Sequence, residues 1–384
     1  MKVTILSNSK RGGLFNVTMQ WAKGLLRKGC DVNIFFLMQS EEAKRLVPSE
    51  HIHFHYFTTS NFLPNLRALA TFLIHDHPDV IHINFAWFGP LAIFKKCVSK
   101  TPFIYTLHGL PQPWLEPALL YKIAYTIEHC LLRFVASQSS VSVTVSNYVK
   151  DTLKKRYGID SQVIYHGIEA GRFKPKNKTQ SKHKLGYKEA DFIVLYVGKL
   201  HYTLMLEPLT LIKAISVAVE KNTNLHLIMI GDGELYTEVE KEISKLYLSN
   251  HVRLFRRVDD QMLEMLYDAA DMFVLPSINE AFGMVLLEAM ASGLPVIASN
   301  SGACPEIIGN VGVLFNQGDH IDLAEKIITL SFDKGLSRKL AKAGLKRVKD
   351  KFCWKDKIDK YWELYKKAKN LRVKLSMVNF MKCT

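Results

Sequence analysis

No uninterrupted apolar run in these 384 residues reaches the roughly 18 that a membrane-spanning helix needs. The opening M-K-V-T-I-L-S-N turns polar too soon for a signal peptide and reads instead as a first strand. Cysteine is sparse and scattered. Cys30, Cys97, Cys130, Cys304, Cys353 and Cys383 form no C-x-x-C pair, which points to a reducing cytosol. There is no D-x-D and no His/Cys cluster of metal-ligand spacing, so neither a metal nor another cofactor is expected. Internal repeats, low-complexity tracts and recognised nucleic-acid motifs are lacking too, which argues against a nucleic-acid partner. Acidic residues fall short of basic ones, 36 against 51, leaving a net charge of +15. The shortfall is uneven: residues 1–180 hold 22 basic and 11 acidic residues, the remainder 29 and 25. Such an excess suits an anionic partner, such as a membrane surface, or simply a solvated lysine-rich exterior.

What is present is an alternation of strands and helices, twice over. A chain of 384 residues exceeds what one core usually holds, and 48% hydrophobic content is that of a soluble globular protein. Buried strands are expected at residues 3–7, 32–38, 80–83, 103–106 and 141–145, with His51, His53 and His55 alternating along one face of another. The helix after the first strand should end at Gly29; a later one, over 147–157, should be capped by Ser146 and ended by Gly158. A second set of strands follows at 192–197, 225–230, 252–255, 272–275 and 295–298. Strands alternating with helices in two sets imply two doubly wound parallel sheets. The polar stretch 172–184, R-F-K-P-K-N-K-T-Q-S-K-H-K, reads as a linker between them. After residue 322 the chain turns helical; Ile358, Tyr361, Trp362, Leu364 and Tyr365 form a packing stripe, and from Leu371 onward no clear structure is expected.

The most informative stretch lies at 270–299. A buried strand, M-F-V-L, ends at Pro276-Ser277; Phe282-Gly283 opens a helix, Gly293 closes it, and P-V-I-A starts the next strand. Glu280 and Glu288 therefore bracket a helix N-terminus at the carboxyl end of a strand, where open α/β sheets bind ligands. Carboxylates accept directional bonds from hydroxyls, and free N–H groups of Gly283 and Met284 would suit hydroxyls or a phosphate. The combination reads as a sugar- or nucleotide-binding site.

This block, E-A-F-G-M-V-L-L-E, resembles the E-x7-E signature of the retaining group 1 glycosyltransferases (glycosyltransferase family 4), whose fold is called GT-B. Other family motifs occur in order: R-G-G-L-F-N-V at 11–17, T-L-H-G at 106–109, L-Y-V-G-K-L at 195–200, I-G-D-G at 230–233 and P-E-I-I at 305–308. The likeness spans roughly residues 1–355. It implies an α/β GT-B chain of two Rossmann-like doubly wound domains facing a cleft: 1–172 for the acceptor, 173–355 for the nucleotide sugar, and 356–384 as a helix returning to the first domain plus a tail. It implies transfer of a sugar, most simply a hexose, from a nucleotide-diphosphate donor to a glycan or lipid-linked acceptor, with retention of configuration. Cell-envelope polysaccharide or glycolipid synthesis is the expected setting. The location would be cytoplasmic, either free or peripheral on the membrane.

The same resemblance assigns roles. Glu288 would hold ribose hydroxyls, against the plainer reading of a helix-surface glutamate. Glu280 would contact the donor sugar near its anomeric carbon, or merely cap the helix. His108 would contact that sugar from the other domain, or serve the fold. Gly12 and Gly13 would let the backbone approach phosphates or acceptor. Glu306 would lie beside the diphosphate turn or simply complement the helix dipole. Phe282, Gly283 and Met284 complete the donor set.

There are departures. The family's phosphate loop reads G-R-L-x-x-x-K-G; here Lys199 replaces the arginine, losing its bidentate fork, and Leu204 replaces the lysine. Arg256, in F-R-R-V, either restores a cation or obstructs the base. The rivals are a catalytically degenerate GT-B binding subunit and a GT-B nucleotide-sugar epimerase.

Overall fold

The computed structural model describes residues 1–8, 13–36, 51–56, 62–84, 86–88, 101–109, 119–169, 171–201 and 206–381. They form two compact units. One takes in the described residues up to Gly167 and those from Trp354 onward; the other is Ile168–Cys353.

The first unit is built on β1 (Lys2–Ser7), β2 (Asp31–Phe36), β3 (Ile52–Tyr56), β4 (Val80–Ile83), β5 (Phe103–Leu107), β6 (Val141–Thr144) and β7 (Gln162–Val163). All pair in parallel, in the order β3-β2-β1-β4-β5-β6-β7. Strands β1, β2, β4 and β5 are buried on both faces, which is why they read as largely apolar runs, whereas β3 is mostly only half-buried and alternates. The order reverses between β1 and β4, and the carboxyl ends of those strands define a switch point. Helices α1 (Gly13–Leu26), α2 (Phe62–Asp76), α3 (Leu119–Gln138) and α4 (Asn147–Tyr157) connect them. As expected, Ser146 accepts from the Val149 N–H at the start of α4, and Gly158, at φ 70°, ends it by donating to the Lys154 carbonyl.

The C-terminal helix Trp354–Met381 completes this unit. Ile358, Tyr361, Leu364, Tyr365 and Ala368 join Trp21, Ile5, Val32 and Ile104 in one core, so the aromatic stripe is packing surface, as its period implies. The helix runs on through Met381, where no structure was expected beyond Leu371. Residues 354–381 hold neither glycine nor proline, so nothing in the backbone stops it.

The second unit contains β8 (Phe192–Val197), β9 (Leu225–Ile230), β10 (Val252–Phe255), β11 (Met272–Leu275), β12 (Val296–Ser299) and β13 (Val313–Phe315), again all parallel, in the order β10-β9-β8-β11-β12-β13. Its switch point lies between β8 and β11. The helices are α5 (Lys178–Lys184), α6 (Leu206–Lys221), α7 (Tyr236–Lys245), α8 (Asp260–Ala269), α9 (Met284–Ala291), α10 (Cys304–Ile308), α11 (His320–Phe332) and α12 (Lys334–Lys351). The supposed linker is part of this unit. Its cations meet acids of α8 and the residue leading into β11: Arg172 with Asp260 at 2.9 Å, Lys176 with Glu264 at 2.9 Å, and buried Lys182 with Asp271 at 2.7 Å. Asn177 caps α5. Polarity here reflects pairing with distant acids, not a free tether.

Candidate functional site

The carboxyl edge of the second sheet gathers most of the expected residues, beginning with the loop between β11 and α9. Glu280 turns its own side chain back onto that loop: Oε1 accepts from the N–H of Gly283 at 3.1 Å and of Phe282 at 3.3 Å. The Gly283 N–H expected to be free is therefore taken by a carboxylate three residues earlier, which fixes the turn leading into α9. Phe282 is likewise not presented as a ligand group; it is 3% exposed and lies edge-on to Phe352 at 6.1 Å. Met284, first residue of α9, keeps an N–H with no partner inside the helix.

Glu288 lies one turn further along α9. Its Oε2 accepts from the Tyr267 hydroxyl at 2.9 Å. Burial pushes its pKa up to about 7, against the pull of the Tyr267 hydrogen bond and the Arg172 charge. A carboxyl poised this way can exchange one partner for a hydroxyl of a ligand. Glu288→Ala is expected to weaken nucleotide binding by about 1–3 kcal/mol, by leaving ribose hydroxyls unpaired. Calorimetry that finds unchanged affinity in a folded variant removes Glu288 from the site.

The loop bearing Glu280 is gripped from both sides, by residues that no motif singles out. From α6, Glu207 is 2% exposed; Oε1 accepts from the Ile278 N–H at 2.6 Å and Oε2 from the Ser277 hydroxyl at 3.0 Å. From the turn after β12, the Ser299 hydroxyl donates to the Ser277 carbonyl, and the Ala303 N–H donates to the Glu280 carbonyl at 2.7 Å. Gly302, at φ 59°, lies so close that a Cβ there would stand 2.5 Å from the Glu280 nitrogen. Cys304 is buried packing, with its thiol pKa pushed up by burial.

Burial also pushes the Glu207 pKa up to about 8; the Glu280 charge adds to this, and the bonds from Ile278 and Ser277 oppose it. Folded Glu207 and Glu288 thus hold protons that the unfolded chain releases near its ordinary carboxyl pKa. Their stabilising effect is complete below that pKa and is lost as pH rises through about 7 and 8. Melting measured from about pH 5 to 8.5 should show a decline of several kcal/mol, about 1.4 per pH unit for each group until its folded pKa is passed, that Glu207→Gln and Glu288→Gln each flatten. A slope unchanged in both variants contradicts this.

The loop after β8 carries Lys199, which is exposed. It is pinned by the G-D-G turn after β9: the Leu200 N–H donates to the Asp232 carbonyl at 3.1 Å and the Leu235 N–H to the Leu200 carbonyl at 2.9 Å. Gly233 is needed there, since a Cβ would stand 2.1 Å from the Leu200 oxygen. Arg256 follows β10 on the same edge, two strands from Lys199 and so about 10 Å away in the backbone. Its guanidinium covers the Tyr236 ring at 3.7 Å and reaches Asp232 at 3.5 Å, while Arg257 bonds Asp232 at 2.9 Å. The would-be replacement cation is thus shared with a carboxylate. Glu306 lies in α10, its carbonyl accepting from Arg347 at 2.8 Å. Gly12 and Leu204 lie outside the described residues.

In the first unit, His108 follows β5 and Gly13 opens α1. His108 Nδ1 meets His166 Nε2 at 3.2 Å, and burial lowers its pKa to about 3, so the imidazole is neutral. His166, 58 residues further along the chain, is thus its partner. His51 and His55 pair with Asp31 and Asn33, and no cluster able to hold a metal occurs among the described residues. No helix of the described residues is long and apolar enough to cross a membrane.

Two Rossmann-like parallel-sheet units with this ligand edge define a GT-B glycosyltransferase architecture. The family described as "Glycosyl transferases group 1" matches residues 177–347, and "Glycosyltransferase Family 4" matches residues 11–172. The chain belongs to the group 1 glycosyltransferases. N-acetyl-alpha-D-glucosaminyl L-malate synthase of Bacillus anthracis is 25% identical to it over 385 residues, covering 95% of this chain and 96% of that one. Sucrose-phosphate synthase of Thermosynechococcus elongatus superposes with a TM-score of 0.80 at 20% identity, over 96% of this chain and 98% of that one. Anabaena Alr3699/HepE, solved in complex with UDP and glucose, gives 0.76 at 21% identity, over 96% and 100%.

Proposed function

We propose that this protein is a retaining transferase that moves a hexose from a nucleoside-diphosphate sugar to a glycan or lipid-linked acceptor, without a metal or other cofactor. The observation that carries the reading is the Glu280–Glu288 segment at the switch point of the second sheet, where a carboxyl before a helix start is followed by another one turn into the helix. The UDP and glucose bound by the Anabaena protein are in keeping with a nucleotide-sugar donor. The second unit would take the donor, Glu288 holding ribose and Lys199 with the α9 N-terminus facing the diphosphate. The first would take the acceptor, with His108 offered to the sugar. In retention of this kind the leaving phosphate accepts the proton of the attacking hydroxyl on the same face of the sugar. The protein's part is to position both substrates and to stabilise the departing diphosphate.

A melting panel of UDP, GDP, ADP and CDP tests this, because a ligand bound only by the folded state raises stability. A selective rise with one nucleotide is expected, and no rise with any contradicts the reading. One observation favours a degenerate, binding-only protein: Leu204 stands where the family has lysine, and Arg256 is already shared with Asp232. Turnover separates the two. The basic excess of residues 1–180 fits a cytoplasmic protein peripheral to an anionic membrane that carries the acceptor. Anionic liposomes should bind it and release it as salt rises; equal binding to neutral ones contradicts this.

A further inference from the structure

At the carboxyl edge of the first sheet, Asn84 stands one residue past β4, beside β1, where the strand order reverses. Its N–H donates to the Leu6 carbonyl at 2.8 Å, which fixes its backbone. Strand alternation puts Asn84 on the face of Val80 and His82, and His108 on the face of Ile104 and Thr106. These are one face of the sheet, because His82 Nε2 meets Thr106 Oγ1 at 2.8 Å. The register, Ile83 opposite Tyr105, sets Asn84 opposite Thr106, with His108 diagonal to it at roughly 7–8 Å between Cα atoms.

Beneath the edge, the polar groups of this face are paired. His82 Nδ1 meets the Tyr365 hydroxyl at 2.5 Å, Thr106 meets Tyr361 at 3.3 Å, and Ser7 meets Thr18 at 2.7 Å. At the edge the pairing stops. Asn84 is 4% exposed, yet neither Oδ1 nor Nδ2 has a hydrogen-bond partner among the described residues. His108 Nε2 and Trp21 Nε1 are buried and unpartnered in the same sense, with the Trp21 ring 5.8 Å from that of His108. A buried amide left unpaired costs its full desolvation, so one kept at a ligand-binding edge points to an absent partner.

We propose that Asn84 contacts a sugar hydroxyl and, with His108 Nε2, forms a subsite for a neutral polyol ring. The proposal rests on the reading that this protein transfers sugars. A carboxamide offers both donors and an acceptor, and a hydroxyl both accepts and donates, so each satisfies the other. A phosphate only accepts and would leave Oδ1 unpaired. The neutral His108 imidazole adds no positive charge to attract one. Both the sugar of the donor and that of the acceptor have this chemistry.

Asn84→Leu, nearly isosteric and apolar, tests the proposal. Its melting temperature should equal the wild type's or exceed it by about 1–4 °C, since an unpaired amide has been removed. Its turnover of the UDP-, GDP- or ADP-hexose that the wild type uses best, with a lipid extract as acceptor, should fall about tenfold or more. A raised KM for the nucleotide hexose places Asn84 on the donor sugar; a raised KM for the extract places it on the acceptor. A lower melting temperature, whatever the turnover, or full turnover, overturns the proposal. A second measurement does not depend on turnover. Melting in high-millimolar glucose, galactose, mannose or N-acetylglucosamine should stabilise the wild type more than Asn84→Leu, beyond the exclusion effect common to both. Equal gains overturn the proposal. If the wild type transfers no sugar at all, the proposed function fails, while the melting experiments still decide Asn84.

Discussion

Glu280→Ala is expected to lower turnover by about 100- to 1,000-fold, the scale seen when one preorganised group at a reacting centre is removed. Its affinity for the nucleoside diphosphate should stay within a few-fold, because the residue would touch the sugar and not the base. The same carboxylate holds the turn before α9 through the Phe282 and Gly283 N–H groups, so Glu280→Ala should also lose about 1 kcal/mol of stability. Glu280→Gln separates the two roles: the amide oxygen can keep the bonds to the Phe282 and Gly283 N–H groups, but the charge is gone. Near-wild-type stability with turnover down at least tenfold is expected of it. Full turnover in Glu280→Gln, with stability lost only in Glu280→Ala, would make the residue a brace of its own turn and nothing more.

Gly302→Ala should be among the most damaging small changes in the second unit. The backbone there is left-handed, and the added methyl would sit 2.5 Å from the Glu280 nitrogen and 2.6 Å from its carbonyl oxygen. Neither neighbour is a flexible side-chain end, so the loop itself has to move. A cost of about 2–4 kcal/mol is expected, with turnover reduced more than 100-fold as Glu280 is displaced. Circular dichroism melting and single-turnover kinetics measure both effects. A Gly302→Ala variant of normal stability and rate would show that the loop after β11 tolerates movement and that its clamp has no bearing on catalysis.

The fold was legible because parallel strands covered on both faces appear as bare apolar runs, and because Ser146, Gly158 and Gly293 mark helix ends locally. β7 and β13, two and three residues long, are too short for any period to show. The stretch 172–184 was misread for a different reason. Lys182 looks like a solvent residue until Asp271, far along the chain, is brought against it. The site divides in the same way. Glu280 and Glu288 stand out because strand, turn and helix lie together in sequence. Glu207 does not, since what it holds is 70 residues away, and the demand on Gly302 arises only where the turn after β12 meets the loop after β11. A local bond also outweighed the expected open N–H at Gly283: a carboxylate three residues before it reaches that N–H before any ligand does. Asn84 had no pattern at all, and only its burial without partners makes it visible.

The most direct test of sugar transfer with retention is proton NMR of the wild-type reaction, with nucleotide hexoses and a lipid or glycan extract, followed at the anomeric protons. The account predicts release of nucleoside diphosphate together with a new glycoside whose anomeric coupling matches that of the donor. An inverted coupling, or a nucleotide sugar that binds and is returned unchanged, would contradict it.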